Sequence, residues 1–254
     1  MENIEKTEIF EMSYRKKVLG ILGGLGPLAG VYFYRLITEH TKALCDRDHL
    51  DVIVVSGAST PDRTDFIMGK SPLSPLPKMK EDVGRLAAAG AEIIAVPCNT
   101  AHFFFDELDA FSPVPVLNIV RETAEHAKAK GVKRVGILAT DGTIFSGSYK
   151  HECDRLGMEY VTPGEPAQKE LMEIIYKSIK ASAAPDMRKF NKIADELASK
   201  GCDAIILGCT ELSLLPKDQM TERNIIIDSL FVLAKNAISL CGAEPTGFDG
   251  IYDT

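Results

Sequence analysis

Residues 86–100 read Leu-Ala-Ala-Ala-Gly-Ala-Glu-Ile-Ile-Ala-Val-Pro-Cys-Asn-Thr, and residues 197–211 repeat the pattern as Leu-Ala-Ser-Lys-Gly-Cys-Asp-Ala-Ile-Ile-Leu-Gly-Cys-Thr-Glu. Each copy predicts the end of a helix, a glycine, a short apolar strand and then a cysteine. The carboxyl ends of parallel strands are where open α/β sheets bind ligands. The two copies therefore place Cys98 and Cys209 at equivalent strand ends, and packing about a pseudo-two-fold axis would turn both toward one cleft.

The repeat extends on both sides of these segments. Residues 20–22 and 136–138 both read Gly-Ile-Leu, and Leu117-Asn118 corresponds to Ile227-Asp228. Apolar runs with little polar alternation separate helical patterns, which indicates parallel strands covered by helices on both faces. The predicted strands are 18–22, 52–56, 93–96, 116–117, 135–139, 204–207 and 225–227. The predicted helices are 28–42, 79–89, 101–111, 119–130, 168–179 and 187–200, and the Pro/Ser-rich stretch 71–77 is read as a loop.

These patterns predict an α/β fold of two pseudo-symmetric parallel-sheet domains with flanking helices and an active site at the domain interface. The first domain is expected to contain residues 1–114 and 222–254, with residues 1–17 as a solvated leader. The second is expected to contain residues 115–221. The chain would cross near Pro115 and return near Arg223, so that the last helix packs on the first domain.

The composition limits the classes of partner. The chain has 254 residues, of which 45% are hydrophobic and 26% charged, which is typical of a globular protein. A net charge of −7 argues against nucleic acid or an acidic membrane surface as the main partner, because both require a basic surface. Residues 1–17 contain no apolar run typical of a secretion signal, so we expect a cytoplasmic protein whose six cysteines are free thiols.

The two repeated cysteines suggest acid–base chemistry. Each is expected to open a helix, whose free N–H groups and dipole favour the thiolate. At a pKa of about 8.5 roughly 3% of a thiol is ionised at pH 7, whereas a pKa near 7 would give about one half. One cysteine can then remove a proton from a carbon acid while the other returns one from the far side. The hydroxyl and amide groups that follow, on Asn99, Thr100 and Thr210, either bind a substrate carboxylate or cap the helices.

Three motifs together resemble the aspartate/glutamate racemase superfamily, and specifically its cofactor-independent aspartate racemases. They are Gly20-Ile-Leu-Gly-Gly-Leu-Gly-Pro27, Pro97-Cys98-Asn99-Thr100-Ala101-His102 and Gly208-Cys209-Thr210-Glu211. The resemblance implies an isomerase that interconverts L- and D-aspartate with no pyridoxal phosphate, other cofactor or metal, and that forms a homodimer. It implies Cys98 and Cys209 as the catalytic bases. Around the substrate it implies Asn99, Thr100, Thr140 and Thr210 at the α-carboxylate and backbone, with Arg63 and Lys169 at the side-chain carboxylate.

Departures from the residues typical of glutamate racemases narrow the range of expected substrates. Glutamate racemases typically carry Asp-Ser in the first strand-to-helix turn and a histidine after Cys-Thr, whereas this chain has Gly23-Gly24 and Glu211. This difference disfavours a cell-wall glutamate racemase. Glu211 either orients Cys209 or caps its helix and faces solvent. A racemase of other or broader amino acids, glutamate included, stays open, as does a non-catalytic amino-acid binding protein.

The sequence gives weaker support for other functions. The glycine-rich turn at residues 24–30 follows a strand, as in dinucleotide-binding proteins, but the second strand lacks the acidic residue that would hold a ribose. A zinc site could use Cys98, His102, Cys209 and Glu211, but it lacks a second histidine. A decarboxylase or cis-trans isomerase on the same fold is chemically closer. The intact cysteine pair, with Arg63 and Lys169, favours racemisation.

Overall fold

The computed structural model describes residues 15–221 and 225–248. Within these ranges eight strands form two four-stranded parallel sheets with the same topology, β2-β1-β3-β4 and β6-β5-β7-β8. The first sheet contains β1 (Leu19–Gly23), β2 (Val52–Ser56), β3 (Ile93–Ala95) and β4 (Val116–Leu117). The second contains β5 (Arg134–Leu138), β6 (Glu159–Val161), β7 (Ala204–Leu207) and β8 (Ile226–Asp228). The predicted α/β fold with two equivalent parallel sheets is confirmed.

Helices cover both faces of each sheet. In the first half they are α1 (Pro27–His40), α2 (Arg63–Ile67), α3 (Leu76–Ala88), α4 (Phe105–Asp109) and α5 (Ile119–Ala129). In the second half they are α6 (Asp141–Ser146), α7 (Ser148–Leu156), α8 (Glu165–Glu173), α9 (Met187–Ser199) and α10 (Ser229–Leu240). A π-helical segment, Ile174–Ile179, continues α8, and short 3₁₀ turns occupy Asp46–Asp48, Thr100–Phe104, Thr210–Leu214 and Lys217–Gln219. The loop predicted at 71–77 ends at residue 75, because α3 begins at Leu76.

The repeated glycines have a backbone reason. Gly90 follows α3 with φ of +103°, and Gly201 follows α9 with φ of +79°. This left-handed region is open to glycine without steric cost, and it lets the chain leave the helix and enter the next strand. The repeat therefore preserves the two helix-to-strand turns that lead into β3 and β7.

The two halves share a core because they exchange helices. α5 follows β4 of the first sheet but packs on α7 and α10, and α10 follows β8 of the second sheet but packs on α1. Equivalent residues begin both helices, since Asn118 and Asp228 accept hydrogen bonds from their first-turn amides. One apolar cluster extends from Ile21 in β1 through Leu230 to Ile206 in β7, and each half adds its own outer cluster.

Strand pairing corrects the expected crossover points. β4 pairs with β3 in the first sheet and β8 pairs with β7 in the second, whereas crossovers near Pro115 and Arg223 would assign each strand to the opposite half. Each crossover instead follows the last strand of a sheet. β4 and β8 pair with the sheet of the half that precedes them in the chain, and only the helix after each of them crosses to the other half. The last helix packs on the first half as expected. Arg223 and residues 1–14 of the predicted leader lie outside the described residues.

Candidate active site

Cys98 and Cys209 line one pocket between the two halves. Each follows the carboxyl end of a central strand, β3 or β7, and only 6% and 4% of their surfaces are exposed. The pocket brings together all the predicted site residues except Lys169: Arg63, Cys98, Asn99, Thr100, Thr140, Cys209 and Thr210.

A buried histidine holds the backbone of Cys98. His102 Nδ1 donates to the carbonyl oxygen of Cys98 at 2.8 Å, and its Nε2 accepts from the amide of Ile119 at 3.3 Å. Burial lowers the pKa of His102, which keeps the ring neutral as these two bonds require. Both ring nitrogens are thus engaged with the backbone, and His102 joins the Cys98 loop to the start of α5 instead of turning a nitrogen toward a metal.

Asn99 ties the first half to the second. Its Oδ1 accepts from the Tyr149 hydroxyl at 2.7 Å, and its Nδ2 donates to Ser229 Oγ at 2.9 Å. Ser229 in turn donates to the carbonyl oxygen of Leu207 at the end of β7. The Asn99 side chain therefore fixes the cysteine loop across the interface, which leaves its second amide N–H and its backbone for any contact with a substrate.

Three threonine hydroxyls meet across the interface. Thr100 Oγ1 lies 2.9 Å from the hydroxyls of both Thr140 and Thr143, and these two lie 3.1 Å apart. Thr140 also caps α6 by accepting from the amide of Thr143. Hydroxyls can rotate to donate to an incoming carboxylate, so this cluster provides neutral donors beside the thiols.

The Cys209 loop is anchored by its neighbours. Thr210 Oγ1 donates to the carbonyl oxygen of Pro97 at 3.1 Å, which connects the two cysteine loops directly. The Cys209 thiol donates to Glu211 Oε2 at 3.0 Å. Glu211 is 4% exposed, so of the two sequence-based interpretations the one in which it orients Cys209 is the observed arrangement.

Two cations lie in the pocket, and only one of them was predicted. Arg63 is buried, and its guanidinium donates to the carbonyl oxygens of Leu25, Thr60 and Pro61, while its Nε has no partner among the described residues. The lysine is Lys180, whose Nζ lies 3.6 Å from Glu211 Oε1. Lys169 is exposed on α8 and does not line the pocket, so its predicted place there is wrong.

The π-helical segment explains why Tyr176 and Lys180 were not predicted from the sequence as pocket residues. Lys169 and Lys180 are eleven residues apart, which in a regular α-helix would put them on one face. The π segment adds about one residue to the turn and rotates the following chain by about 100°. It thereby turns Tyr176 and Lys180 into the pocket, with Lys180 Nζ 4.5 Å from the centre of the Tyr176 ring. Asp62, Thr64, Leu25 and Glu211 complete the lining.

Both thiols are harder to ionise than a cysteine in water. Burial raises the pKa of Cys98, and burial together with the Glu211 carboxylate raises that of Cys209 further. The expectation that helix N-termini would favour both thiolates is therefore wrong. Each cysteine is followed by a 3₁₀ turn and not by the first turn of a regular α-helix, and desolvation is the largest influence on the pKa of both thiols.

The sequence from Leu22 to Ala237 matches the family described as Asp/Glu/Hydantoin racemase. The chain belongs to this racemase family. Among curated proteins it is similar to the broad specificity amino-acid racemase RacX of Bacillus subtilis (strain 168), with 27% identity over 87% of this chain and 97% of RacX. It is 29% identical to the glutamate racemase of Aquifex aeolicus (strain VF5) over 69% of this chain and 68% of that protein.

Solved structures agree with this family assignment. The aspartate racemase of Picrophilus torridus superposes with a TM-score of 0.79 at 28% identity, covering 94% of this chain and all of that one. An aspartate racemase homologue from Pyrococcus horikoshii OT3 gives a TM-score of 0.71 at 26% identity, covering 89% and 99% of the two chains. The chain is thus a member of an isomerase family. Across residues 15–221 and 225–248, its helices are too short or too polar to cross a membrane.

Proposed function

We propose that the protein is a cofactor-independent amino-acid racemase that interconverts L- and D-aspartate through Cys98 and Cys209. The observation that carries this proposal is that two thiols at equivalent strand ends of a duplicated fold share one closed pocket. Each thiol approaches the pocket from its own half, as attack on opposite faces of one α-carbon requires.

The proposed reaction needs only the two sulfurs as proton carriers. One thiolate takes the α-proton, and the electron pair of the broken C–H bond delocalises into the adjacent carboxylate. The opposite thiol then gives its proton to the other face of the α-carbon and becomes the thiolate. The product has the opposite configuration, and the two sulfurs have exchanged roles.

Burial makes this chemistry feasible in two ways. A thiolate with a raised pKa is a stronger base toward a carbon acid, although less of it is present at neutral pH. Two cations oppose the effect of burial, because Arg63 and Lys180 both lower the pKa of Cys98 and Lys180 also lowers that of Cys209. These cations favour one thiolate in the site and also attract an anionic substrate.

The same cations support an acidic substrate. In the proposed complex, Arg63 and Lys180 bind the side-chain carboxylate, and the threonine hydroxyls with the loop amides bind the α-carboxylate. Charge-assisted hydrogen bonds contribute about 1.5–3 kcal/mol each, which is enough to select aspartate over alanine.

A broader substrate range is the second candidate. A larger cavity of about 230 Å³ adjoins the pocket, shares Arg63, Lys180 and Glu211 with it, and is also lined by Leu28 and Ile179. A longer side chain such as that of glutamate could extend into this cavity, and the similarity to a broad specificity racemase points the same way. One methylene is worth only about 1–3 kcal/mol in a pocket, so the two candidates differ in degree.

The test uses the metal-free, reduced protein with no added cofactor. L-aspartate, L-glutamate and L-alanine are incubated separately in D2O, the α-deuterium is followed by NMR and the D isomer by chiral chromatography. We expect deuterated D-aspartate, less D-glutamate and little D-alanine. Equal rates for the three substrates would favour the broad racemase, and substrate binding without exchange would favour a non-catalytic binding protein.

A further inference from the structure

The duplicated site is chemically asymmetric at one position. The repeat that aligns Cys98 with Cys209 aligns Thr100 with Glu211, so a hydroxyl in one half corresponds to a carboxylate in the other. Thr100 hydrogen-bonds with Thr140 and Thr143, whereas Glu211 accepts a hydrogen bond from the Cys209 thiol. The two thiols therefore have unlike partners in an otherwise equivalent setting.

Glu211 is held in place from several sides. Its Oε2 accepts from the Cys209 thiol at 3.0 Å and lies 3.5 Å from Thr210 Oγ1. Its Oε1 faces Lys180 at 3.6 Å and abuts Gly26, where any side chain would collide with it. The carboxylate thus has little freedom to turn away from the sulfur.

The charges around the two sulfurs differ accordingly. The charged and titratable groups around Cys209 and Glu211 are Tyr176 in the π segment, Lys180 immediately after it, and Cys98 from the first half, and Asp62 and Arg63 line the same pocket. For Cys98, the strongest charge effect is that of Arg63, which favours its thiolate. For Cys209, the strongest charge effect on the pKa is that of Glu211, which favours the protonated thiol.

We propose that Glu211 is a positioning residue that holds the proton on Cys209, so that Cys98 is the base and Cys209 the acid of the resting site. This assignment rests on the proposed two-thiol racemisation and adds a direction to it. The isomer that presents its α-proton to Cys98 binds a site in which the two thiols already have the protonation states that its reaction requires. The other isomer must wait until a proton has moved from Cys209 to Cys98.

The experiment measures each thiol separately in the substrate-free protein. Alkylation by iodoacetamide is followed between pH 6 and 11, with peptide mass spectrometry to give the rates at Cys98 and Cys209. The midpoint of each rate–pH profile reports the pKa of that thiol, because limited access lowers the rate without moving the midpoint. The substitution is Glu211→Gln, and Glu173→Gln on the surface of α8 is the control with the same change in charge.

In the unsubstituted protein we expect the Cys209 midpoint to lie above the Cys98 midpoint. In Glu211→Gln the Cys209 midpoint should fall by about one pH unit or more, which makes its alkylation about tenfold faster at a fixed lower pH. The Cys98 midpoint should move less, and Glu173→Gln should move neither.

Equal midpoints in the unsubstituted protein, or a Cys209 midpoint that moves no further in Glu211→Gln than in Glu173→Gln, would overturn the proposal. The first comparison requires no variant, so it decides the question even where Glu211→Gln does not fold. Because no substrate is present, the result is independent of whether the protein racemises aspartate.

Discussion

The backbone turns Lys180 into the pocket and Lys169 toward solvent. This difference in direction decides which of the two lysines can contact a substrate. Lys180 is mostly buried beside Glu211, and nearby negative groups raise its pKa, so it is charged at all physiological pH values. Lys169 is exposed on α8. A lysine that is always charged and faces the thiols fits the binding of a substrate carboxylate.

Replacing Lys180 with alanine should therefore reduce kcat/KM for aspartate by about 10- to 150-fold, the equivalent of losing one charge-assisted hydrogen bond. Lys169→Ala is the matched control and should leave kcat/KM unchanged. Arg63→Ala is a less clean test, because that guanidinium also holds three backbone carbonyls. Steady-state kinetics on both lysine variants decides the matter, and equal effects would exclude the role given to Lys180.

The raised pKa of both thiols predicts the pH dependence of activity. The reaction needs one thiolate, so kcat/KM should rise with pH through the neutral range and continue to rise above about pH 8.5, the ordinary pKa of a cysteine. It should fall again where the second thiol also ionises. Initial rates between pH 6 and 11 test this, and a plateau already reached at pH 7 would show that the base is not a buried thiol.

At the residue scale the sequence predicted that the two cysteines, Arg63 and the threonines lie together, because these residues follow the repeat or a recognisable motif, and their roles stay predictions. It did not predict Lys180, since no local pattern reveals a π segment, whose one-residue insertion depends on tertiary packing. The same limit applies to the thiol pKa values. They depend on how completely the two halves exclude water, which local sequence does not encode.

At the scale of elements, β6 was the strand that the sequence did not reveal. It is a three-residue edge strand in which Glu159 is exposed, so it lacks the continuous apolar run by which the buried strands are recognised. The other seven strands begin and end within one residue of the predicted positions. The helices predicted at 101–111 and 168–179 are each divided, into a 3₁₀ turn followed by α4 and into α8 followed by the π segment.

The contact between α5 and α10 should weaken as pH rises. Burial raises the pKa of Glu122 to about 7, and Asn236 on α10 donates to its carboxyl group at 3.0 Å. The folded-state pKa lies above the unfolded value of about 4.3, so the stabilising effect of the neutral form is complete below pH 4.3 and is lost as pH rises to about 7.

Glu122→Gln should remove this loss. The gain in the free energy of unfolding caused by the substitution should therefore be about 1–3 kcal/mol larger at pH 8 than at pH 4.5. Urea unfolding at the two pH values measures the difference. Glu107→Gln, at an exposed position on α4, is the control for a general change of surface charge. A pH-independent effect of Glu122→Gln would contradict the assignment of a raised pKa.

At the scale of the whole molecule, the exchange of α5 and α10 predicts cooperative unfolding. Each half contributes a helix to the other, and the central apolar cluster includes residues of both sheets. We therefore expect a single urea transition, with the same midpoint by far-UV circular dichroism and by tyrosine fluorescence. Two separated transitions would show that the halves are independent folding units. The homodimer stays a prediction.

The repeat made the two-sheet architecture predictable, because its offset applies to strands, glycines and cysteines alike. The crossover points could not be located from it. A short apolar segment such as Val116–Leu117 pairs equally well in principle with either sheet, and only the three-dimensional exchange of helices decides which one it joins.

The central claim is that Cys98 and Cys209 are both required, one for each face of the α-carbon. The most direct measurement is the rate of D-aspartate formation from L-aspartate by the unsubstituted protein, by Cys98→Ala and by Cys209→Ala, with Cys45→Ala at an exposed cysteine as the control. The account predicts that each of the first two variants folds but loses activity by at least about 100-fold, while Cys45→Ala is fully active. Full activity in either Cys98→Ala or Cys209→Ala would contradict the two-thiol mechanism.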